Sequence, residues 1–250
     1  MSKPIQAKYK VLENVRIAEG YYKITLEAPY IVRNYLPTQF VNIKVGTGYE
    51  YLLRKPFSIY EAMDHTISIV YRVIGKGTRR LTEYQKGEFL DIVAPVGKGV
   101  QVKNIKAKKM AFIAGGCGIA SLKELAGHVA KKFDLFYGVE SRNQIVELEK
   151  WRKLANKIFM ATDDGSEGYK GFVTDLFKEK VLQYDAVYCC GPKVMMRKIY
   201  ELFPQNSYFI FEEYMACGIG VCMGCVIKTK EGYKRICKDG PLFKGEEIVW

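Results

Sequence analysis

The stretch "MAFIAGGCGIASLKELAGHV" (residues 110–129) joins an apolar run, a glycine-rich turn and an amphipathic segment. An apolar run without polar alternation is typical of a strand that is buried on both faces in a parallel sheet. The segment that follows, residues 120–132, places Leu122, Leu125, Ala126 and Val129 on one helical face. Strand, turn and helix in this order predict the first unit of a doubly wound parallel α/β domain.

The turn itself contains Gly115, Gly116 and Gly118. Glycines let the backbone approach a pyrophosphate, and the helix N-terminus offers N–H donors and the positive end of its dipole. The same glycines also suit close packing of a strand against a helix, and the turn lacks the full GxGxxG pattern. The three glycines are therefore candidate nucleotide ligands with a purely structural alternative.

Further apolar runs repeat the pattern towards the C-terminus. They are "FDLFYGV" (133–139), "KIFMATDD" (157–164), "DAVYCCGP" (185–192) and "SYFIFEE" (207–213). Asp163 and Asp164 end one run, where carboxylates can bind ribose hydroxyls and repel the 2′-phosphate of NADP, or simply form a turn. Cys190, Gly191 and Pro192 end another, at the strand edge where open α/β sheets bind ligands, although Pro also opens helices.

Short alternating runs precede the quoted stretch. They are "YYKITLEA" (21–28), "FVNIKV" (40–45), "TISIVYRV" (66–73) and "FLDIVAPV" (89–96), and they predict an antiparallel barrel up to about Gly99. Two segments there, "LLRKPFSIY" (52–60) and "YRVIGKGTRRL" (71–81), combine basic, aromatic and hydroxyl side chains that suit a flavin. The candidates in them are Arg54, Lys55, Phe57, Ser58, Tyr71, Arg72, Gly77 and Thr78.

The tail "EEYMACGIGVCMGCVIKTKEGYKRIC" (212–237) holds four of the chain's seven cysteines. Cys217, Cys222, Cys225 and Cys237 have the spacing C-x4-C-x2-C-x11-C, which predicts a [2Fe–2S] cluster in a glycine-rich loop. Zinc usually takes two separated C-x-x-C pairs and a chain of this length needs no disulfide, so the pattern disfavours both alternatives. The glycine- and cysteine-rich segment after Glu212 is expected to form a metal-organised appendage that extends neither preceding core.

The chain has 39 Lys and Arg against 27 Asp and Glu, a net charge of +12. The lysines, Lys131 and Lys132 among them, are spread along the chain without an aromatic-interleaved basic motif, so nucleic-acid binding is not expected. No apolar run reaches the roughly 18 residues of a membrane span, and the N-terminus lacks the apolar region of a signal peptide. Seven cysteines in such a chain predict a reducing, cytoplasmic location.

In this order, the motifs resemble the ferredoxin–NADP reductase superfamily, with a flavin barrel first and a nicotinamide-nucleotide domain second. The tail "EEYMACGIGVCMGC…CKDGPLF" is similar, more narrowly, to the electron-transfer subunits of B-type dihydroorotate dehydrogenases. The resemblance implies three parts: an FAD-binding β-barrel in residues 1–102, an NAD-binding α/β domain in 103–211 and a [2Fe–2S] subdomain in 212–250.

The resemblance also assigns the site residues. Lys55 stands where the superfamily usually has an arginine, so that either Arg54 compensates or the phosphate is held less firmly. Ser58 and Thr78 are expected to donate hydrogen bonds to FAD, and Arg72 is expected to contact its pyrophosphate. The full FAD set is Lys55, Pro56, Phe57, Ser58, Val70, Tyr71, Arg72, Gly77 and Thr78. The NAD set is Gly115, Gly116, Gly118, Asp163, Asp164, Gly191 and Pro192, with Cys190 as the catalytic residue, and the four cysteines of the tail hold the [2Fe–2S] cluster.

The function that the resemblance implies is electron transfer within a larger enzyme of pyrimidine biosynthesis. A partner subunit would oxidise dihydroorotate on its own FMN, and this chain would pass the electrons through the [2Fe–2S] cluster and FAD to NAD⁺, in a heterotetramer of two copies each. Ile219, Val221 and Met223 are expected to face that partner. NADH is expected to be preferred over NADPH because of Asp163 and Asp164, with the nearby Arg142 as the opposing charge.

Two alternatives remain open at this point. One is the small FAD and [2Fe–2S] subunit of a different complex, such as a bifurcating ferredoxin:NADP reductase or a hydrogenase diaphorase. The other is a non-enzymatic, redox-sensing metal protein in which the barrel and the sheet are only a scaffold.

Overall fold

The computed structural model describes residues 3–129 and 133–250. Lys131, Lys132 and the last residues of the helix predicted over 120–132 lie outside the described residues. Within the described ranges the chain forms an antiparallel sheet, a mostly parallel sheet and a two-stranded hairpin. No helix in those ranges is long and apolar enough to cross a bilayer.

Antiparallel strands make up the first part of the chain. In the described residues these are β1 (Ile5–Ala18), β2 (Tyr21–Glu27), β3 (Phe40–Lys44), β4 (Lys55–Ser58), β5 (Glu61–Met63), β6 (Thr66–Arg72) and β7 (Phe89–Val96), accompanied by helices α1 (Pro29–Asn34) and α2 (Lys76–Thr82). The strands expected from alternation are confirmed as β2, β3, β6 and β7. Strand β1 was not predicted although it is the longest of these strands, because irregular pairing near Val11 and Arg16 interrupts its alternation.

This sheet curls into the expected barrel. Its strand order is β4-β3-β7-β1-β2-β6-β5. The ring of Phe57 on β4 approaches that of Tyr71 on β6, with 5.8 Å between ring centroids, so that β4 and β6 face each other across one opening. Apolar side chains such as Val11, Ile24 and Ile69 are fully buried inside, and their removal from water stabilises the barrel.

A parallel sheet with helices follows. Its elements are β8 (Met110–Gly115), α3 (Gly118–His128), β9 (Phe133–Val139), α4 (Leu148–Arg152), β10 (Lys157–Thr162), β11 (Tyr169–Lys170), α5 (Val173–Lys178), β12 (Ala186–Cys190), α6 (Lys193–Leu202) and β13 (Ser207–Ile210). Strands β8, β9, β10, β12 and β13 pair in parallel, as the repeated apolar runs predicted.

Helices cover both faces of this sheet, which is therefore doubly wound. Neighbouring residues of β8 point to opposite sides: Phe112 packs in one core with Leu122 of α3, and Ile113 packs in another with Phe177 of α5. Because β8 lies between β9 and β12, the direction of strand succession reverses there. Gly191, after β12, packs against Gly115 at this switch point, where open α/β sheets bind their ligands.

The C-terminal segment does not form the appendage that the sequence predicted. After an irregular stretch come β14 (Val226–Thr229), β15 (Gly232–Arg235), α7 (Ile236–Asp239) and β16 (Leu242–Lys244). Strand β16 pairs antiparallel with β13 and extends the second sheet, and Ile227, Ile236 and Phe243 are buried in the core that also contains Phe177. The prediction was wrong because the glycines and cysteines are concentrated in residues 217–225, whereas the apolar residues after them complete the sheet.

Candidate functional site

A cavity of about 830 Å³ lies between the barrel and the parallel sheet. Strands β4 and β6 wall one side, and the carboxyl ends of β8, β9, β10 and β12 wall the other. Met215 and Ile236 of the C-terminal segment also line it. The volume lies in the range of roughly 300–1,000 Å³ that is usual for ligand pockets, and all three parts of the chain contribute to the walls.

The barrel wall contains most of the predicted flavin residues. Those that line the cavity are Lys55, Pro56, Phe57, Ser58, Val70, Tyr71, Arg72 and Thr78. Gly77 lies behind Lys55, and a Cβ added to Gly77 would stand 2.9 Å from the Lys55 Cε atom. Arg54 points away and donates from Nη2 to Asp91 Oδ1 at 2.8 Å. Arg54 therefore does not take the place of the arginine that Lys55 replaces.

Arg72 and Thr78 already have partners within the chain. Arg72 donates from Nη2 to Glu140 Oε1 at 2.9 Å, and this hydrogen bond raises the pKa of the guanidinium. The Arg72 guanidinium also lies over the Tyr21 ring, 5.8 Å from its centroid. The Thr78 hydroxyl accepts the N–H groups of Ile74 and Gly75 at 2.9 and 3.1 Å and so caps the start of α2. Arg72 links the barrel to β9, and Thr78 shapes the loop that borders the cavity.

The glycine turn, residues 115–118, serves packing and opens onto the cavity at the same time. A Cβ on Gly118 would collide with the Cys190 carbonyl oxygen, and one on Gly115 would stand 2.6 Å from Met195 Sδ. Gly116 has a φ of +52°, and only the Tyr21 hydroxyl comes near its Cβ position, at 3.4 Å. Packing against backbone thus requires Gly118, the flexible side chain of Met195 encloses Gly115, and Gly116 leaves room for a ligand to approach.

The carboxyl ends of β9 and β10 bring Glu140 and Asp163 to the cavity. Burial, and after it the negative charge of Glu140, raises the pKa of Asp163. Asp164 does not line the cavity, and its Oδ1 accepts the Ser166 N–H at 2.9 Å. Glu140 was not predicted, although it directly follows the run "FDLFYGV" and therefore stands at the carboxyl end of a parallel strand, where ligands bind.

A hydrogen-bond chain that was not predicted runs along the cavity wall. Ser58 Oγ lies 2.8 Å from Ser121 Oγ, and Ser121 donates to Glu212 Oε1 at 2.7 Å. Gly191 and Pro192 line the cavity nearby, but Cys190 does not: its thiol is buried and points to the Glu212 carboxylate at 3.8 Å. Burial, reinforced by Glu212, raises the pKa of Cys190, so that the thiol stays protonated.

The four cysteines of the tail approach one another in two pairs. The sulfur atoms of Cys217 and Cys222 lie within hydrogen-bonding reach, and so do those of Cys225 and Cys237. In residues 3–129 and 133–250, no three His, Cys, Asp or Glu side chains surround one point as a single metal ion would require. Two thiolate pairs fit a [2Fe–2S] cluster, in which each iron takes two cysteines, better than they fit one tetrahedral zinc.

Backbone N–H groups of the cluster loop, residues 217–225, point at sulfur. Val221 and Cys222 donate to Cys217 Sγ at 3.3 and 3.4 Å. Burial by itself would raise the pKa of the Cys217 thiol, but the N–H groups of Cys222, Ile219 and Val221 outweigh burial and lower that pKa to about 6. The loop is thus arranged to stabilise negative charge on sulfur, as the glycine-rich spacing predicted.

A buried hydroxyl also indicates that the cavity receives a ligand. Thr174 lines the cavity and is 3% exposed, and its Oγ1 has no hydrogen-bond partner among the described residues. A buried hydroxyl without a partner costs free energy that a polar ligand would recover. The cavity volume, the glycine turn, the basic residues of the barrel wall and Thr174 together fit a flavin and a nicotinamide nucleotide.

The outer side of the cluster loop is apolar. Ile219, Val221 and Met223 are 49%, 75% and 48% exposed. The inner side folds back against the barrel, where Gly218 contacts Asn42 of β3. These three apolar side chains are thus open to solvent, as a predicted contact with a partner requires.

Comparisons with known proteins agree with this geometry. Residues 212–249 match the family described as "Iron-sulfur cluster binding domain of dihydroorotate dehydrogenase B", and residues 112–201 match "Oxidoreductase NAD-binding domain". The Clostridium acetobutylicum protein "Dihydroorotate dehydrogenase B (NAD(+)), electron transfer subunit" is 39% identical over 245 residues, which cover 96% of each chain. The Fusobacterium nucleatum protein of the same name is 35% identical over 250 residues, 95% of this chain and 96% of its own.

Solved structures share the architecture. The structure described as "Insights into flavin-based electron bifurcation via the NADH-dependent reduced ferredoxin-NADP oxidoreductase structure" has a TM-score of 0.86 and 25% identity, over 98% of this chain and 90% of that chain. Phthalate dioxygenase reductase shares the fold, with a TM-score of 0.63 and 18% identity over 82% of this chain and 67% of its own. Identity above 30% over nearly the full length shows that the chain belongs to the family of electron transfer subunits of dihydroorotate dehydrogenase B.

Proposed function

We propose that this chain carries electrons from a dihydroorotate-oxidising partner subunit to NAD⁺ and binds a [2Fe–2S] cluster and FAD for that purpose. The observation that carries the proposal is the cavity in which the barrel wall, the glycine turn and residues of the C-terminal segment meet. Bound FAD would supply the junction between one-electron and two-electron chemistry, because a flavin can exchange single electrons with a cluster and a hydride with nicotinamide.

Each part of the chain has its own task in this proposal. Residues 1–102 bind FAD, residues 103–211 bind NAD and residues 212–250 bind the [2Fe–2S] cluster, with the third part packed on the sheet edge of the second through β16. FAD is held by Lys55, Pro56, Phe57, Ser58, Val70, Tyr71, Arg72, Gly77 and Thr78. NAD is held by Gly115, Gly116, Gly118, Asp163, Gly191 and Pro192, beside Cys190, and the [2Fe–2S] cluster by Cys217, Cys222, Cys225 and Cys237.

Ser121 and Glu212 join the set as residues that handle a proton. Ser58 lines the cavity, and Ser121 connects it by hydrogen bonds to the exposed carboxylate of Glu212. The three side chains all line the cavity and give a proton a hydrogen-bonded route along its wall. The buried Cys190 thiol, held protonated beside Glu212, lies at the end of the same route.

The partner in this proposal is an FMN-containing catalytic subunit, and the assembly contains two copies of each chain in the cytoplasm. The exposed apolar side chains of Ile219, Val221 and Met223 supply its docking surface, because an apolar patch beside a redox centre suits a lasting subunit contact. Free thiols that must stay reduced to hold iron suit a reducing compartment.

Charging the docking surface tests this function. The variant Met223→Glu should lose co-purification with the FMN subunit and dihydroorotate-dependent NAD⁺ reduction, while NADH-driven reduction of an artificial dye continues at the wild-type rate. The control is Met63→Glu, since Met63 is a similarly exposed methionine, at 62%, that lies on β5 of the barrel sheet and not in the cluster loop. Normal assembly of Met223→Glu would remove the docking surface from the proposal, and failure of the wild-type pair to reduce NAD⁺ with dihydroorotate would remove the function.

The structural likeness to the NADH-dependent reduced ferredoxin–NADP oxidoreductase favours a second candidate, the small subunit of a complex of that kind. The same chain would then hold the same cofactors but exchange electrons with a different subunit. Electron transfer with a reduced ferredoxin and a copurifying subunit that lacks dihydroorotate oxidation would select this candidate over the first.

A further inference from the structure

A single polar side chain stands out in the contact between the barrel and the C-terminal segment. Along β3, Val41 and Ile43 point into the barrel core, whereas Phe40 points outward and packs in the same core as Cys225 and Cys237. Asn42 is therefore on the same outward face as Phe40, and it is 0% exposed.

The carboxamide of Asn42 has no hydrogen-bond partner among the described residues, on either its Nδ2 or its Oδ1 atom. Its neighbour across the β3–β4 ladder is Pro56, which has no N–H to offer. A buried amide without partners costs roughly 1–3 kcal/mol, so its position in an apolar contact needs a reason.

The cluster loop provides that reason. The position that a Cβ on Gly218 would occupy is filled by the Nδ2 end of the Asn42 amide, and Gly218 directly follows Cys217. Gly218 has a φ of +68°, so the loop turns around the amide at this residue. The carboxamide thus lies against the backbone that presents Cys217, on the side that faces the barrel.

We propose that Asn42 donates a hydrogen bond from its side-chain N–H to sulfur on the Cys217 side of the [2Fe–2S] cluster and thereby sets the cluster's reduction potential. The inference rests on the proposed function, because it needs the cluster. A hydrogen bond to sulfur stabilises the reduced cluster, which carries one more negative charge, and so raises the reduction potential. Asn42 is in this sense a positioning and tuning residue of the barrel, not a ligand.

The experiment compares Asn42→Val with Asn42→Thr in the full chain, reconstituted with iron and sulfide. Val and Thr have nearly the same shape and both suit a strand, but only Thr keeps a hydrogen-bond donor. Redox titration followed by the electron paramagnetic resonance signal of the reduced cluster should show a lower midpoint potential for Asn42→Val, by about a tenfold change in the one-electron equilibrium or roughly 59 mV. Asn42→Thr should lie between Asn42→Val and the wild type.

The variant Phe40→Leu tests the effect of packing by itself. It loosens the contact between the barrel and the C-terminal segment without removing a hydrogen-bond donor. Its midpoint potential should equal that of the wild type. The role of Asn42 would be overturned if cluster-loaded Asn42→Val had the midpoint potential of the wild type, or if Phe40→Leu lowered the midpoint potential as much as Asn42→Val does. Either result would leave the proposed function intact. A wild-type chain that holds zinc without sulfide would overturn both.

Discussion

The glycine turn and the cluster loop are both short, glycine-rich connections, yet different forces hold them. In the glycine turn, the absent side chains make room for the protein itself: Gly118 packs on the Cys190 carbonyl and Gly115 on Met195. In the cluster loop, Gly218 and Gly220 have φ values of +68° and +84°, and the loop turns its N–H groups towards sulfur.

This difference shows which contacts stabilise each loop. The glycine turn is clamped between two buried strands and a fully packed helix, so the protein's own core holds it. Cys222, Met223 and Gly224 of the cluster loop are exposed, and few apolar contacts hold them. The loop therefore depends on the bound [2Fe–2S] cluster and on polar contacts from neighbouring residues.

The largest effect is expected from removing two ligands of the cluster loop. Cys222→Ser together with Cys225→Ser should abolish iron and acid-labile sulfide and with them all partner-dependent electron transfer, because hydroxyls do not replace thiolates. The barrel and the parallel sheet have their own cores, so flavin content and NADH-driven dye reduction should persist. Iron and sulfide assays on protein prepared without oxygen measure the first part. Full cluster retention would show that the loop does not depend on these thiolates.

A smaller but still large effect is expected in the glycine turn. Gly118→Ala places a Cβ against the Cys190 carbonyl oxygen, which the β-ladder prevents from moving, and should destabilise the protein by roughly 3 kcal/mol. The control is Gly127→Ala in the same helix, where a Cβ meets nothing within 4 Å and should be neutral or stabilising by up to about 1 kcal/mol. Urea denaturation measures both. Equal stability of the two variants would contradict the packing of this turn.

A moderate effect is expected from the polar clamp on the cluster loop. Arg235 donates from Nη1 to the Gly220 carbonyl at 2.8 Å and from Nε to Asp239 Oδ2 at 3.2 Å. Arg235→Met should speed the loss of iron to a chelator about tenfold, which corresponds to about 1.4 kcal/mol. Lys234→Met is the control, since Lys234 pairs with Glu231 and Glu247 and not with the loop. Wild-type iron loss in Arg235→Met would mean that the loop holds its shape unaided.

The smallest effect is expected in the preference for NADH over NADPH. This preference should depend only on residues at the glycine-turn side of the cavity. Glu140 and Asp163 line the cavity there and should repel the 2′-phosphate of NADPH, so that NADH is preferred. Asp163→Ser should narrow the preference several-fold with unchanged cluster content, whereas Asp164→Ser should not, because Asp164 is turned to Ser166. Rates of flavin reduction by both nucleotides measure it. Equal rates with NADH and NADPH in the wild type would contradict the charge argument.

Local sequence patterns were sufficient to predict many of the strands. Period-two alternation located β2, β3, β6 and β7, and apolar runs located β8, β9, β10, β12 and β13. The same patterns could not locate β1 or β16, because bulges interrupt the first and the second is only three residues long. Cavity-lining residues within a recognisable motif, such as Ser58 and Asp163, were predicted from the sequence. Ser121 was not predicted, because nothing in the local sequence distinguishes it from the other residues of a buried helix.

The sequence by itself determined the chemistry of this protein: the cysteine spacing, the glycine turn and the basic and aromatic residues of the barrel each specify their ligand class through side chains that are close in the chain. Only the tertiary structure decided which residues act together. It turned Arg54 and Asp164 away from the cavity. It brought Glu140, Ser121 and Glu212 to the cavity wall, and it brought Asn42 to the cluster loop. The physical reason is that strand pairing and core packing join residues far apart in the chain, and no local pattern records which buried side chains will meet.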